Sequence, residues 1–312
     1  MDSARRARLA VQRCATRDAP DDRVAVFDLD VTGDPPTLSG TVSAPELRRR
    51  ALRAARDAVD TYVECDVTVL SRLAESATCS AGVAVVRDRP DADGERVTEL
   101  RYGCAVTTFD QREGWQRVSV PDGYLGWVRR EHLADAVEIS PDGVTTAELD
   151  VGGVTAHRGT ECERLDDDRV RFRTRAEAEV EAGAVDSLRR PDGESVVAVA
   201  REYLGTPYRW GGTTTEGIDC SGLVWQAYRR HGLTLPRDAD QQRNLGDCVD
   251  RDSLQAGDLL FFPGHVAIAT GASSFVHAYG PADEVTENSL DPAEDGYVAD
   301  LDESFACARR LL

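Results

Sequence analysis

The chain has 312 residues, enough for two or three domains with full hydrophobic cores and no need of stapling. Its 37 basic residues are all arginine, and 56 acidic residues leave a formal charge of −19, a field that repels phosphate and excludes nucleic acid as a main partner. The acid excess, with three isoleucines, one methionine and no lysine, fits a halophilic protein tuned to concentrated salt; codon bias in a GC-rich genome explains the missing lysine and isoleucine but not the added acids.

Met1 to Arg13 is punctuated by Asp2, Arg5, Arg6, Arg8 and Arg13, so it lacks the apolar stretch of a secretory leader, and no apolar run approaches the roughly 20 residues of a membrane helix. The expectation is a cytoplasmic protein without membrane insertion. Residues Arg23 to Asp30 and Thr37 to Val42 alternate like strands, Pro45 to Val59 reads as an arginine-rich amphipathic helix, and Glu64 to Leu70 returns to a strand pattern. This predicts a small α+β module over 1–75. Its phrase Leu38-Ser39-Gly40-Thr41-Val42, followed by Pro45-Glu46 and a helix, resembles a BON-type module, which implies attachment to a surface or partner.

From Ala77 to Leu133 short strands alternate with turns: Gly82 to Arg87, Trp115 to Val118 and Gly123 to Val128, with the turn Pro90 to Gly94 between the first two. The Trp115 and Gly126-Trp127-Val128 phrases resemble a bacterial SH3-like barrel, placed at 76–136. Gly159-Thr160, the alternating Arg169 to Arg175 and Val185-Asp186-Ser187-Leu188 suggest a second, divergent copy over 137–190. Arg189-Arg190-Pro191-Asp192-Gly193 then reads as a junction to a last domain, 191–312.

That domain carries the chemistry. Ser195 to Leu204 reads as a short helix, and Asp219 is placed to cap a second helix that closes at Gly232, which sets Cys220 in its first turn. A helix start favours thiolate over thiol, so Cys220 is the one cysteine positioned as a nucleophile. Most of the others (Cys14, Cys65, Cys79, Cys104, Cys162, Cys248 and Cys307) read as small buried hydrophobes, and without a Cys-x-x-Cys pair or a histidine-rich neighbour zinc is unsupported. Five histidines compete as base. Leu259 to Phe262, His265 to Ala269 and Ser274 to Tyr279 read as strands, and a turn centred on Gly271 sets His265 directly opposite His277 on one sheet face. One imidazole then orients the other, the logic of nucleophile, base and orienting group. His231 needs only a role at a helix end, and His132 and His157 read as surface residues.

The phrases Gly205-Thr206-Pro207-Tyr208-Arg209-Trp210-Gly211-Gly212, Asp219-Cys220-Ser221-Gly222-Leu223-Val224, Leu235-Pro236-Arg237 with Gln241, Ala256-Gly257-Asp258-Leu259-Leu260-Phe261-Phe262 and Gly264-His265-Val266-Ala267-Ile268 resemble, in this order, the NlpC/P60 cysteine peptidases. The resemblance covers about Gly193 to Leu312. It implies an α+β, papain-like catalytic domain that hydrolyses the amide between γ-D-glutamate and a diamino acid in cell-wall-type peptides through a thioacyl enzyme, with no metal or cofactor. Carried over, Cys220 is the nucleophile, His265 the general base and His277 its orienting partner. Tyr208 stabilises the oxyanion, and Asp219 and Ser221 line the substrate groove. Tyr124, on the SH3-like phrase Gly123 to Trp127, is the candidate wall at the amine end of the peptide, though ordinary barrel surface serves it equally well. Where many relatives carry serines after Pro236-Arg237, this chain has Asp238-Ala239-Asp240, which leaves that end of the site open. An amidase or acyltransferase on the same fold, and a non-catalytic SH3-type binding protein, are the rival readings.

Overall fold

Asp2 caps a helix that the arginine-rich composition hides. Its side chain accepts from the Arg5 amide at 2.7 Å and starts α1, Ser3–Asp18. The sequence reading has no element there; small residues at Ala7, Val11 and Cys14 make the buried stripe, too slight to stand out among five arginines. The computed structural model describes residues 2–187 and 190–312. Leu188 and Arg189, part of the expected final strand of the 137–190 stretch and of its junction, lie outside the described residues.

The chain forms two compact units. One comprises the chain up to Ala77 with Arg89–Ala92 and Val106–Arg130; the other comprises Thr78–Asp88, Asp93–Ala105 and Glu131 onward. In the first, β1 (Phe27–Thr32) runs antiparallel to β2 (Thr37–Val42), and β2 parallel to β3 (Glu64–Val69), the crossover being α2 (Pro45–Asp57). Leu47, Ala51 and Ala55, four apart, form the buried face of α2. Ala7 and Val11 of α1 join Ala51 and Ala55 over Val31 and Leu38 of the sheet. From Val106 on, the same unit holds an antiparallel meander of the strands Ala105–Arg112, Trp115–Ser119 and Leu125–Arg129, in which the Arg117 guanidinium lies 4.6 Å over the Trp127 ring.

In the second unit, Val83–Arg87 pairs with Arg96–Arg101, and five short antiparallel strands between Gly143 and Ser187 enclose Cys162, Val170 and Phe172. His157, expected at the surface, is buried at 4 % exposure, with Nδ1 3.1 Å from Glu148. Its carbonyl takes the Thr145 and Thr160 hydroxyls, so the residue closes a turn.

The last third builds α3 (Gly193–Arg201), α4 (Cys220–Arg229) and a six-stranded sheet. Its strands are β4 (Asp247–Val249), β5 (Leu259–Phe262), β6 (His265–Ala269), β7 (Ser274–Tyr279), β8 (Glu284–Ser289) and β9 (Cys307–Arg310). The order is β4-β9-β5-β6-β7-β8, antiparallel throughout. Every residue of α4 is buried, which is why its sequence reads as nearly continuous apolar chain. Leu223, Val224 and Ala227 pack on Val266, Ile268 and Val276, and the other sheet face carries Phe262, Ala267 and Phe275.

Candidate active site

Asp219 is the N-cap of α4 and sets the position of Cys220. Its Oδ1 accepts from the Gly222 amide at 2.6 Å and its Oδ2 from the Gly211 amide at 2.7 Å. The glycines of the two phrases are required by contact: a Cβ on Gly222 would lie 2.5 Å from the Gly212 carbonyl oxygen, and one on Gly212 2.4 Å from that of Gly217. The loop 209–218 can therefore lie directly on the first turn of the helix. Tyr208 enters it tied on both sides, its amide donating to Asp283 at 2.8 Å while the Arg209 amide donates to Ile218 at 3.0 Å.

A residue the sequence reading quotes without assigning a role holds this assembly. Arg237, 1 % exposed, donates from Nη1 and Nη2 to the two Asp219 oxygens at 2.9 and 2.7 Å. It also donates to the Ser221 hydroxyl at 2.9 Å, to Thr98 at 3.0 Å and to the Gly212 carbonyl at 3.2 Å. Thus the side chains of Asp219 and Ser221, read as groove residues, are engaged inside the protein.

The two histidines come together, but not in the expected register. Ile268 pairs with Val276 and Ala269 with Phe275, so the turn is centred one residue later than Gly271. A shift of two in the pairing keeps both histidines on one face and makes them diagonal neighbours rather than opposed. The rings still meet: His265 Nε2 lies 2.8 Å from His277 Nδ1. His277, wholly buried, stacks on Tyr279 at 4.6 Å and meets the Phe275 ring edge-on.

Asn288 on β8, not singled out in the sequence, completes the line. Its Nδ2 donates to the Gly296 carbonyl at 2.9 Å, which turns its Oδ1 toward His277 Nε2, 2.8 Å away. An amide oxygen only accepts, so His277 carries its proton on Nε2 and offers Nδ1 as a lone pair. His265 must then donate from Nε2, which leaves its Nδ1 basic. Cys220 sits against the neighbouring residue, with the Val266 and Ser221 amides favouring its anion. Among the described residues the thiol has no side-chain hydrogen-bond partner; in a resting site such bonds commonly tighten only when substrate closes the groove. The described residues hold no group of three or more metal-ligating side chains.

The NlpC/P60 family model matches residues 205–300, and that of the bacterial dipeptidyl-peptidase SH3 domain matches 86–133. Over 259 residues the chain is 30% identical to dipeptidyl-peptidase 6 of Lysinibacillus sphaericus, spanning 72% of this chain and 96% of that protein. The chain belongs to the NlpC/P60 family. It is also 29% identical over 259 residues to a γ-D-glutamyl-L-lysine dipeptidyl-peptidase of Bacillus cereus, covering 69% of this chain and 75% of the relative. The crystal structure of an NlpC/P60 family protein from Bacillus cereus shares its fold, with a TM-score of 0.66 at 24% identity over 76% of this chain and all of that one. The fold is thus the papain-like α+β peptidase fold with an SH3 domain.

In this NlpC/P60 protein the helix start does not leave the cysteine ionised. Burial, reinforced by the Asp219 carboxylate, pushes the Cys220 thiol up from 9.0 to about 12. Burial thus opposes the stabilisation of the anion by the helix end and by the Val266 and Ser221 amides. Burial, with His277 close by, lowers His265 to about 3, and burial lowers His277 to about 4 against the opposing Asn288 bond. Tyr208 is pushed up to about 12, first by burial and then by Cys220 and Asp219, so its hydroxyl stays a donor. The resting pair is neutral thiol and neutral imidazole.

Both rings stay neutral below their ordinary range near pH 6.5. We therefore expect kcat/KM to be flat from pH 9 down through pH 6 and to fall only toward pH 4; a half-maximum between pH 6 and 7 would contradict the neutral pair. The unfolded chain protonates both rings near pH 6.5 and the folded chain does not. Stability contributed by their neutral burial is accordingly full above pH 6.5 and lost as pH falls, by up to about 1.4 kcal/mol per pH unit for each ring. Chemical denaturation at pH 7.5 and 5.5 measures it.

Of the other expected positions, Tyr124 belongs to the first unit, where it is buried at 5 % exposure rather than lying on a barrel surface. Cys248 is exposed and Cys65 and Cys307 half-buried, while Cys14, Cys79, Cys104 and Cys162 are buried as expected.

Proposed function

We propose that this NlpC/P60 enzyme is a cysteine endopeptidase that hydrolyses γ-D-glutamyl to diamino acid amide bonds in cell-wall-type peptides. The observation that carries the mechanism is the Asn288–His277–His265 line, which leaves a single basic nitrogen beside the residue that packs on Cys220. Cys220 Sγ passes its proton to His265 Nδ1 as it attacks the amide carbon, and the Tyr208 hydroxyl donates to the developing oxyanion. The imidazolium returns the proton to the leaving amine as the C–N bond breaks. Water, deprotonated by the same nitrogen, then cleaves the thioester, releasing the carboxylic acid and restoring the thiol. His277 orients the base. Asp219 and Ser221 shape the groove from within through Arg237.

The name of the Bacillus cereus relative, a γ-D-glutamyl-L-lysine dipeptidyl-peptidase, supports the bond cleaved, and that of the Lysinibacillus relative, a dipeptidyl-peptidase, supports peptide hydrolysis. We assign the N-terminal module to 1–75, the SH3-like domain to 76–136, a divergent second copy to 137–190 and the peptidase to 191–312. Eight free thiols support action in a reducing cytoplasm, and the acid excess supports a halophilic host. No helix among the described residues is long and apolar enough to cross a membrane.

The test is product analysis on a panel of γ-D-glutamyl and α-linked peptides in low and high salt, with and without added amine. Cleavage confined to the γ-linked members, with acid rather than a new amide as product, is expected. Amide formation would make it an acyltransferase, and turnover of α-linked peptides alone would refute the bond assignment. Asn288→Ala should lower kcat by about 10²-fold with KM nearly unchanged, while Asn288→Asp, which still accepts from Nε2, should retain most of it; equal loss in both would remove the orienting role.

A further inference from the structure

The acidity of this chain stops at one place. Helices α1 and α2 hold ten of the 37 arginines against three carboxylates, Asp18, Glu46 and Asp57, whereas the rest of the chain carries 27 arginines against 53 acids. Packed side by side, these helices border an open cleft of about 440 Å³ whose charged lining is Arg17, Glu46, Arg49, Arg50, Arg53 and Asp57. Through Arg17, Ala54 and Asp57 it continues into a second of about 400 Å³ that adds Arg13 over alanine walls.

The carboxylates here hold the guanidinium groups rather than neutralise them. Glu46 is shared by Arg49 and Arg50, the latter at 2.8 Å, and Asp18 is shared by Arg17 at 2.6 Å and Arg50 at 2.8 Å. Arg13 and Arg53 have no ion-pair partner among the described residues, and neither is part of the core. Arg13 and Arg17 lie four apart on α1, as Arg49 and Arg53 do on α2, so each pair projects from one helix face. Each guanidinium presents a planar fork of donors that fits phosphate in a bidentate manner. Five such groups against Glu46, Asp57 and the paired Asp18 leave an excess of two charges. One carboxylate ligand would neutralise half of that; a ligand with two or more phosphate groups matches it, and the paired cavities give it length.

We propose that the α1/α2 cleft binds an extended ligand bearing two or more phosphate groups, at a site separate from the peptidase chemistry. Its concave form favours a small ligand over a flat membrane. Isothermal titration of the full chain with tripolyphosphate at about 0.1 M ionic strength is expected to show one site, at least tenfold tighter than for inorganic phosphate. Arg13→Gln with Arg53→Gln should weaken it at least tenfold, with an unchanged melting curve and unchanged peptide hydrolysis, while Arg5→Gln with Arg6→Gln, outside the cleft, should not. Absence of tripolyphosphate binding, equal affinity for inorganic phosphate, or undiminished affinity in the Arg13/Arg53 variant would overturn the proposal. So would capture by phosphatidylglycerol vesicles that tripolyphosphate fails to compete.

Discussion

Cys220→Ala is expected to cut hydrolysis of a γ-D-glutamyl peptide by about 10⁴-fold or more while leaving the melting curve nearly unchanged. The loss is large because the acyl intermediate forms on the Cys220 sulfur, and what survives comes from groove binding and from donors aimed at the oxyanion. Stability should hold because the change removes one sulfur from a well-packed cluster in which Leu223, Val224 and Val266 remain. Alanine at Cys248, which is exposed, should cost neither activity nor stability. Turnover above one percent of the native rate in Cys220→Ala would remove the nucleophile from the mechanism.

The second large effect is structural. Arg237→Ala would leave the Asp219 carboxylate buried without its counter-charge and the Ser221, Thr98 and Gly212 groups without their donor. Removing one partner of a buried pair costs about 3–5 kcal/mol, a large share of the 5–15 kcal/mol that is typical of a folded domain. Arg237→Lys should recover little, since a single ammonium cannot span both carboxylate oxygens and the neighbouring hydroxyls. Arg237→Met combined with Asp219→Asn should be less destabilised than Arg237→Ala alone, because the uncompensated charge is gone. Urea denaturation measures all of these. A loss below 1 kcal/mol in Arg237→Ala would mean that water, not the guanidinium, satisfies Asp219.

The catalytic domain was legible because its signals are local. Asp219 is an N-cap, and strands 259–262, 265–269 and 274–279 form with the bounds their β-branched and aromatic runs suggest. The hairpin register was not, because it depends on the turn closed by the Thr270 amide donating to Ser274, which a composition of small residues does not specify. The helix Ser3–Asp18 is hidden in the sequence because its buried stripe consists of small side chains, and the burial of His157 because it depends on strands distant in sequence. Arg237 and Asn288 share that reason: a polar residue reads as surface until the fold supplies its partners. The burial that opposes ionisation of Cys220 is hidden for a related cause, since the helix end is visible in sequence and the depth of burial is not.

The most direct test is a rapid acid quench of the native protein during turnover of a γ-D-glutamyl peptide, followed by digestion and mass spectrometry. The thioacyl mass should appear on the peptide containing Cys220, build up within the first turnover and vanish in His265→Ala. An acyl mass on any other residue, or steady hydrolysis with no acylated species in a deacylation-limited substrate, would contradict catalysis through Cys220.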